Sequence, residues 1–110
     1  MKNICNCEDL KRIKVEADIG ADPIWCAVCH YNVELDVFPI SDSLKQDFHD
    51  WVSRFGEWVD WETDTLTTDG KVKEKQHNSE GEFLTKRLKQ ELGETYDIEF
   101  IASKMYETYE

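Results

Sequence analysis

A chain of 110 residues and 13.0 kDa is long enough for one hydrophobic core and too short for two ordinary domains, and 40% hydrophobic residues, with aromatics at 12%, exclude disorder along its whole length. Thirteen Lys and Arg against 24 Asp and Glu give a formal net charge of -11, a surface that repels nucleic acid and anionic membrane. No apolar run approaches the roughly 18 residues of a membrane span, and Met1 to Leu10 lacks the apolar stretch of a signal peptide, so a single cytoplasmic domain is expected over residues 1–110.

Ile13 to Ile19 alternates apolar and charged residues, the period of a strand with one face buried. Gly20-Ala21-Asp22-Pro23 then supplies turn chemistry. Val33, Leu35 and Val37 alternate in the same way, and Pro39 closes that second strand. The two strands are expected to form a hairpin with a long, cysteine-bearing loop over 20–32.

From Ser41 the period changes. Leu44, Phe48, Trp51, Val52, Phe55 and Val59 recur at spacings of three and four, which predicts a helix over about 42–59, capped by Ser41. Asp60 to Asn78 is poor in apolar residues and reads as a mobile loop. Ser79-Glu80-Gly81-Glu82 has the form of a capping box, and Phe83, Leu84, Leu88 and Leu92 supply the stripe of a second helix that Gly93 stops. Tyr96, Ile98 and Phe100 alternate with acids, which makes 95–101 a third strand. Residues 1–12 and 102–110 are expected to be loosely ordered. The sum is an α+β fold in the order β-β-α-α-β, with two helices on one face of a small, mainly antiparallel sheet of about three strands.

The four cysteines fall in two pairs, Cys5/Cys7 and Cys26/Cys29, with His30 next in the chain. Four thiolates from two short-spaced pairs suit a tetrahedral structural zinc site. The Cys26-x-x-Cys29 spacing is a good knuckle, whereas Cys5-x-Cys7 is tighter than the usual ligand spacing. Trp25-Cys26-x-x-Cys29 also has the shape of a thiol-exchange motif, but that chemistry needs its first cysteine at a helix N-terminus, and a strand pattern follows here. Cys26-x-x-Cys29-His30 satisfies the covalent haem pattern literally, without the export signal that attachment normally accompanies. The plain alternative makes Cys26 and Cys29 small hydrophobes beside Trp25.

The charge is uneven along the chain. Residues 1–30 carry 4 basic and 5 acidic side chains, residues 31–70 carry 2 and 10, and residues 71–110 carry 7 and 9. The acidic middle holds Glu57, Trp58, Asp60, Trp61, Glu62 and Asp64, four carboxylates and two indoles in eight residues. A calcium loop starting at Asp60 would need Gly at its sixth position and Glu at its twelfth, where Thr65 and Lys71 stand. These six residues fit a partner-binding patch better, because Trp supplies anchor area and carboxylates steer a basic protein. The plain alternative is that Trp51 and one of Trp58 and Trp61 belong to the core, and that the acids are a solvated face that keeps a small protein soluble. His30, His49 and His77 show no metalloprotease spacing, and the chain has neither a nucleophile elbow nor a phosphate loop.

Ala21-Asp22-Pro23-Ile24-Trp25-Cys26-x-x-Cys29, Phe38-Pro39-Ile40-Ser41, Gly56 to Trp61 and Glu91-Leu92-Gly93 together resemble a group of short uncharacterised proteins of Bacillus-type bacteria, over residues 13–101. The resemblance implies a cytosolic bacterial protein and brings no activity or site residues with it. Charge and size favour a small acidic module that binds a basic protein, with the physical character of an inhibitor or immunity protein for a basic toxin domain. The competing expectation is a zinc-binding or thiol-based protein centred on Cys26 and Cys29.

Overall fold

The computed structural model describes residues 11–63 and 65–104. The chain runs β1 (Arg12–Val15), β2 (Ile24–Cys26), β3 (Asn32–Val33), a 3-10 turn (Leu35–Val37), α1 (Asp42–Ser53), β4 (Val59–Asp60), β5 (Thr65–Leu66), α2 (Gly70–Leu92), a second 3-10 turn (Gly93–Thr95) and β6 (Asp97–Phe100). Among the described residues no helix is long and apolar enough to cross a membrane. The fold is α+β, with two helices and a mostly antiparallel main sheet.

That sheet has four strands in the order β3-β2-β1-β6 and is mixed, where three mainly antiparallel strands were expected. β1 pairs β2 antiparallel, with Lys14 opposite Trp25, and β2 pairs β3 antiparallel. β6 joins β1 in parallel, with Ile13 opposite Ile98 and Lys14 opposite Glu99. Both helices lie on the crossover that separates β3 from β6, and a crossover returns the chain to the sheet in the parallel sense.

The second strand also differs from expectation. The ladder uses 24–26 and 32–33, and Leu35–Val37 is a 3-10 turn that leaves Val37 48% exposed. Asp22 explains the change: its Oδ2 accepts from the Leu35 amide at 2.9 Å, and its carbonyl accepts from the Asn32 side chain at 2.7 Å. A turn residue of the first loop thereby takes the amide that would have continued the strand.

α1 is capped as predicted, with Ser41 Oγ accepting from the Leu44 amide at 3.1 Å. Glu91, near the end of α2, closes over the same residue. One of its oxygens accepts from the Ser41 amide at 2.6 Å and the other from Ser41 Oγ at 2.8 Å, and these bonds hold the Glu91 carboxyl below its ordinary pKa. α1 ends at Ser53 rather than 59, because Gly56 turns the chain at φ +90° and Trp61 lies against it, 3.1 Å from where a Cβ would stand.

α2 begins at Gly70, not Ser79, so residues 70–78 of the expected mobile loop are helical. The capping box is unused, since the amides of 79–82 already bond within the helix. The buried face runs Gly70, Glu74, His77, Gly81, Leu84, Leu88 and Leu92, an unbroken three-four spacing, whereas Phe83 points outward at 60% exposure. Gly93, at φ +66°, ends the helix as expected.

Ile13, Val15, Ile24, Val33 and Ile98 from the sheet meet Leu44, Phe48 and Trp51 of α1 and Leu84, Leu88 and Leu92 of α2 in one core. Gly81 sets how closely α2 approaches. A Cβ there would come within 2.5 Å of Phe100 and 2.6 Å of Trp51.

Candidate partner-binding surface

Beyond Gly56 the chain makes a second, two-stranded sheet in which β4 pairs β5 antiparallel, with Val59 opposite Leu66 and Asp60 opposite Thr65. Asp60 shapes the tip, its Oδ1 accepting from the Glu62 amide at 3.0 Å and the Thr63 amide at 3.4 Å. Glu57, Asp60 and Glu62 are exposed, and Trp61 is 53% exposed with its ring resting on Gly56. Four of the six anticipated residues therefore share one surface hairpin and its approach. Asp64 lies outside the described residues.

Trp58 is corrected. It is 2% exposed, so it holds the hairpin from beneath and offers no contact surface. Its ring meets Phe55 edge-on at 5.7 Å and lies 5.0 Å from His77. The acidic surroundings that marked it as an anchor do not distinguish a surface indole from a core one. Along 58–61 the chain passes from buried to exposed, with Trp58 and Val59 inside and Asp60 and Trp61 outside.

Beneath the hairpin, His77 stacks on Trp51 at 4.6 Å with 11° between the rings. The two residues exchange hydrogen bonds. Trp51 Nε1 donates to the His77 carbonyl at 2.8 Å, and His77 Nε2 lies 3.0 Å from the Trp51 carbonyl. A carbonyl only accepts, so the imidazole proton sits on Nε2 and Nδ1 is a bare acceptor, buried without a partner. Trp58 Nε1, on the neighbouring ring, is likewise buried and unpartnered.

Burial lowers the His77 pKa from its ordinary 6.5, and nearby Arg54 works in the same direction, while the Trp51 hydrogen bond, Glu80 and Glu74 oppose them. Above the unfolded-state value the residue is neutral in both states and costs the fold nothing. Below it the unfolded chain binds a proton that the folded chain resists, so stability falls with pH until the folded-state pKa is passed. The denaturant midpoint should therefore drop as pH falls below about 6.5, and His77→Gln should flatten that dependence. An equal slope in the variant would remove His77 as its source.

Sequence reasoning placed His77 and Asn78 in a loop; both lie in α2, where His77 joins Trp51 of α1 and Asn78 belongs to a polar joint with the segment after β6. Glu74, 1% exposed, accepts from Ser103 Oγ at 2.7 Å. The Asn78 amide brackets the Ser103 backbone, donating to its carbonyl at 3.1 Å and accepting from its amide at 2.8 Å. The available signal was the spacing 70, 74, 77, 81, 84, which continues the apolar stripe backward in small and polar residues.

Cys26 is buried on β2, while Cys29 is exposed in the turn that His30 closes by donating its amide to the Cys26 carbonyl at 2.9 Å. Cys5 and Cys7 lie outside the described residues. Among the described residues no three His, Cys, Asp or Glu side chains are grouped to hold a metal ion. Cys26 sits in a strand, without the helix N-terminus that thiolate exchange chemistry uses.

A comparison with curated proteins returned no match. The family described as Serratia CdiI immunity protein-like matches residues 11–103, a span that takes in the whole main sheet, both helices and the acidic hairpin. With the match running through every element of the fold, the chain belongs to the Serratia CdiI immunity protein-like family.

Proposed function

We propose that this chain is a cytoplasmic immunity protein that binds a basic toxin domain and neutralises it by occupying its surface. The observation that carries the reading is the exposed Trp61 among the carboxylates of Glu57, Asp60 and Glu62, on a chain whose residues 31–70 alone hold 10 acids against 2 bases. Trp supplies area that is desolvated on contact, and like-signed carboxylates around it raise the encounter rate with a cationic face while rejecting anionic partners. Family membership supports the immunity role. Inhibition by coverage needs no catalytic group in the inhibitor.

The test joins growth to binding. Candidate toxin domains are induced in cells carrying either this chain or the variant Glu57→Lys/Asp60→Lys/Glu62→Lys. Protection by the unchanged chain, a stable complex with the purified toxin, and loss of both in the variant would support the reading. Protection without complex formation, or undiminished protection by the variant, would contradict it.

A further inference from the structure

A groove of about 320 Å³ lies between the loop 19–22, which follows β1, and the end of α1. Four apolar side chains line it: Ile19 and Ala21 from the loop, Val52 from α1 and Phe55 just beyond. Ile19 is 62% exposed, and the other three are half-buried. Both walls are held in place. Asp18 Oδ1 accepts from the Ile19 amide at 2.8 Å and Gly20 turns the loop at φ +75°, while the Phe55 amide donates to the Val52 carbonyl at 3.0 Å.

The lining selects an apolar occupant. Its one carboxylate, Asp22, already accepts from the Leu35 amide through Oδ2 at 2.9 Å, and among the described residues no Lys or Arg lines the groove. His49 and Ser53 complete the polar part. A charged group entering would exchange its hydration for a mainly hydrocarbon wall. Charge stands around the groove instead. The two segments that form it, 18–22 and 49–57, expose the carboxylates of Asp18, Asp50 and Glu57, and Arg54, the single Lys or Arg on them, is paired with Glu80. The groove also borders the hairpin, for Phe55 meets Trp58 edge-on at 5.7 Å and the next residue, Gly56, carries the ring of Trp61. An exposed apolar wall inside an acidic margin complements an apolar side chain set among basic residues.

We propose that this groove takes an apolar side chain of about the size of leucine from a basic stretch of the toxin partner. The side chain covers Ile19 and Phe55, and its basic neighbours face Asp18, Asp50 and Glu57. The assignment rests on the reading of this chain as an immunity protein for a basic partner. It extends the contact from Trp61 across the turn at Gly56 to the loop after β1.

The free chain tests it first. The full-length, ¹⁵N-labelled chain is titrated with the capped tripeptide Nα-acetyl-Lys-Leu-Lys-amide, and beside it with the Lys-Ser-Lys and Glu-Leu-Glu analogues. Saturable shifts of the amides of 19–22 and 52–55 are expected with Lys-Leu-Lys, with each analogue binding at least about fivefold more weakly, the scale of a buried methylene or two. Ile19→Ser changes an exposed position, so the core is untouched, and it should weaken Lys-Leu-Lys about fivefold while leaving Lys-Ser-Lys unchanged. No saturable shift at these amides, equal binding of Lys-Ser-Lys or Glu-Leu-Glu, or an Ile19→Ser variant that binds Lys-Leu-Lys as well as the parent would overturn the proposal. With a toxin domain that the chain neutralises, Ile19→Ser should dissociate about fivefold faster at an unchanged association rate, whereas charge reversal on the hairpin slows association. A complex in which Ile19→Ser leaves as slowly as the parent removes the groove and spares the immunity reading, and a groove that takes Lys-Leu-Lys in a chain that protects against no toxin removes the immunity reading and, with it, the partner assigned to the groove.

Discussion

Trp51→Ala is expected to destabilise the fold by about 3–5 kcal/mol, the range for deleting a large buried aromatic side chain. That is a large part of the roughly 5–15 kcal/mol that holds a domain of this size. Trp51 is 1% exposed and stands where α1, α2 and β6 meet, stacked on His77 and 6.3 Å from both Phe48 and Phe100. Its loss leaves a cavity and also strands the His77 carbonyl, which accepts from the indole. Trp51→Phe narrows the comparison, for it keeps a ring over the imidazole while removing the donor and only part of the buried volume. A cost of about 1–3 kcal/mol is expected from that variant, the scale of one buried acceptor left unpaired. Guanidinium unfolding of both variants against the parent gives the comparison. Equal losses would show that the hydrogen bond, not the packing, dominates at this position.

Reversing Glu57, Asp60 and Glu62 to lysine is expected to slow association with a basic toxin domain by about 10- to 100-fold at low salt, within the range over which electrostatic steering acts. The change adds three positive charges and removes three negative ones, a shift of six units on one small hairpin. All three side chains are exposed and stability should barely move, although Asp60→Lys also removes the acceptor for the Glu62 and Thr63 amides. Asp60→Asn is therefore the companion variant, keeping the turn while removing one charge. Because exposed charges are screened over about 10 Å at 0.1 M salt, the gap between parent and variant should narrow as salt rises. A gap that did not respond to salt would point to a distorted hairpin rather than to lost steering. Trp61→Ala should act differently, raising the dissociation rate, because its contribution is desolvated area and not field.

The sequence made α1 legible because its buried face is built of Leu44, Phe48 and Trp51, residues that hydropathy registers at once. The first half of α2 was hidden for the opposite reason. Gly70, Glu74, His77 and Gly81 bury as regularly as Leu84 and Leu88 but carry no hydrophobic signal. They are buried because particular partners await them: Ser103 for Glu74, the Trp51 carbonyl for His77, and two aromatic rings where Gly81 lacks a side chain. Such pairings join residues distant in sequence and leave no periodic trace except spacing. Strand β1 was plain from Ile13 and Val15, yet its parallel partner depended on a crossover that no local pattern encodes. At the surface site, charge and aromatic content located the stretch 57–62 without separating Trp58 from Trp61. Adjacent turns of chain assign one indole to the core and the other to solvent, and that choice follows from the Gly56 turn and the β4–β5 register.

The central claim is that the acidic hairpin is the face that meets the toxin. Amide hydrogen exchange of the chain, free and saturated with a toxin domain that it neutralises, tests this most directly. Slowed exchange concentrated in residues 57–63 and in the adjoining β5, with α2 from Leu84 to Leu92 unchanged, is the predicted result. A complex in which 57–63 exchange as fast as in the free chain, while protection appears on another face, would contradict the account.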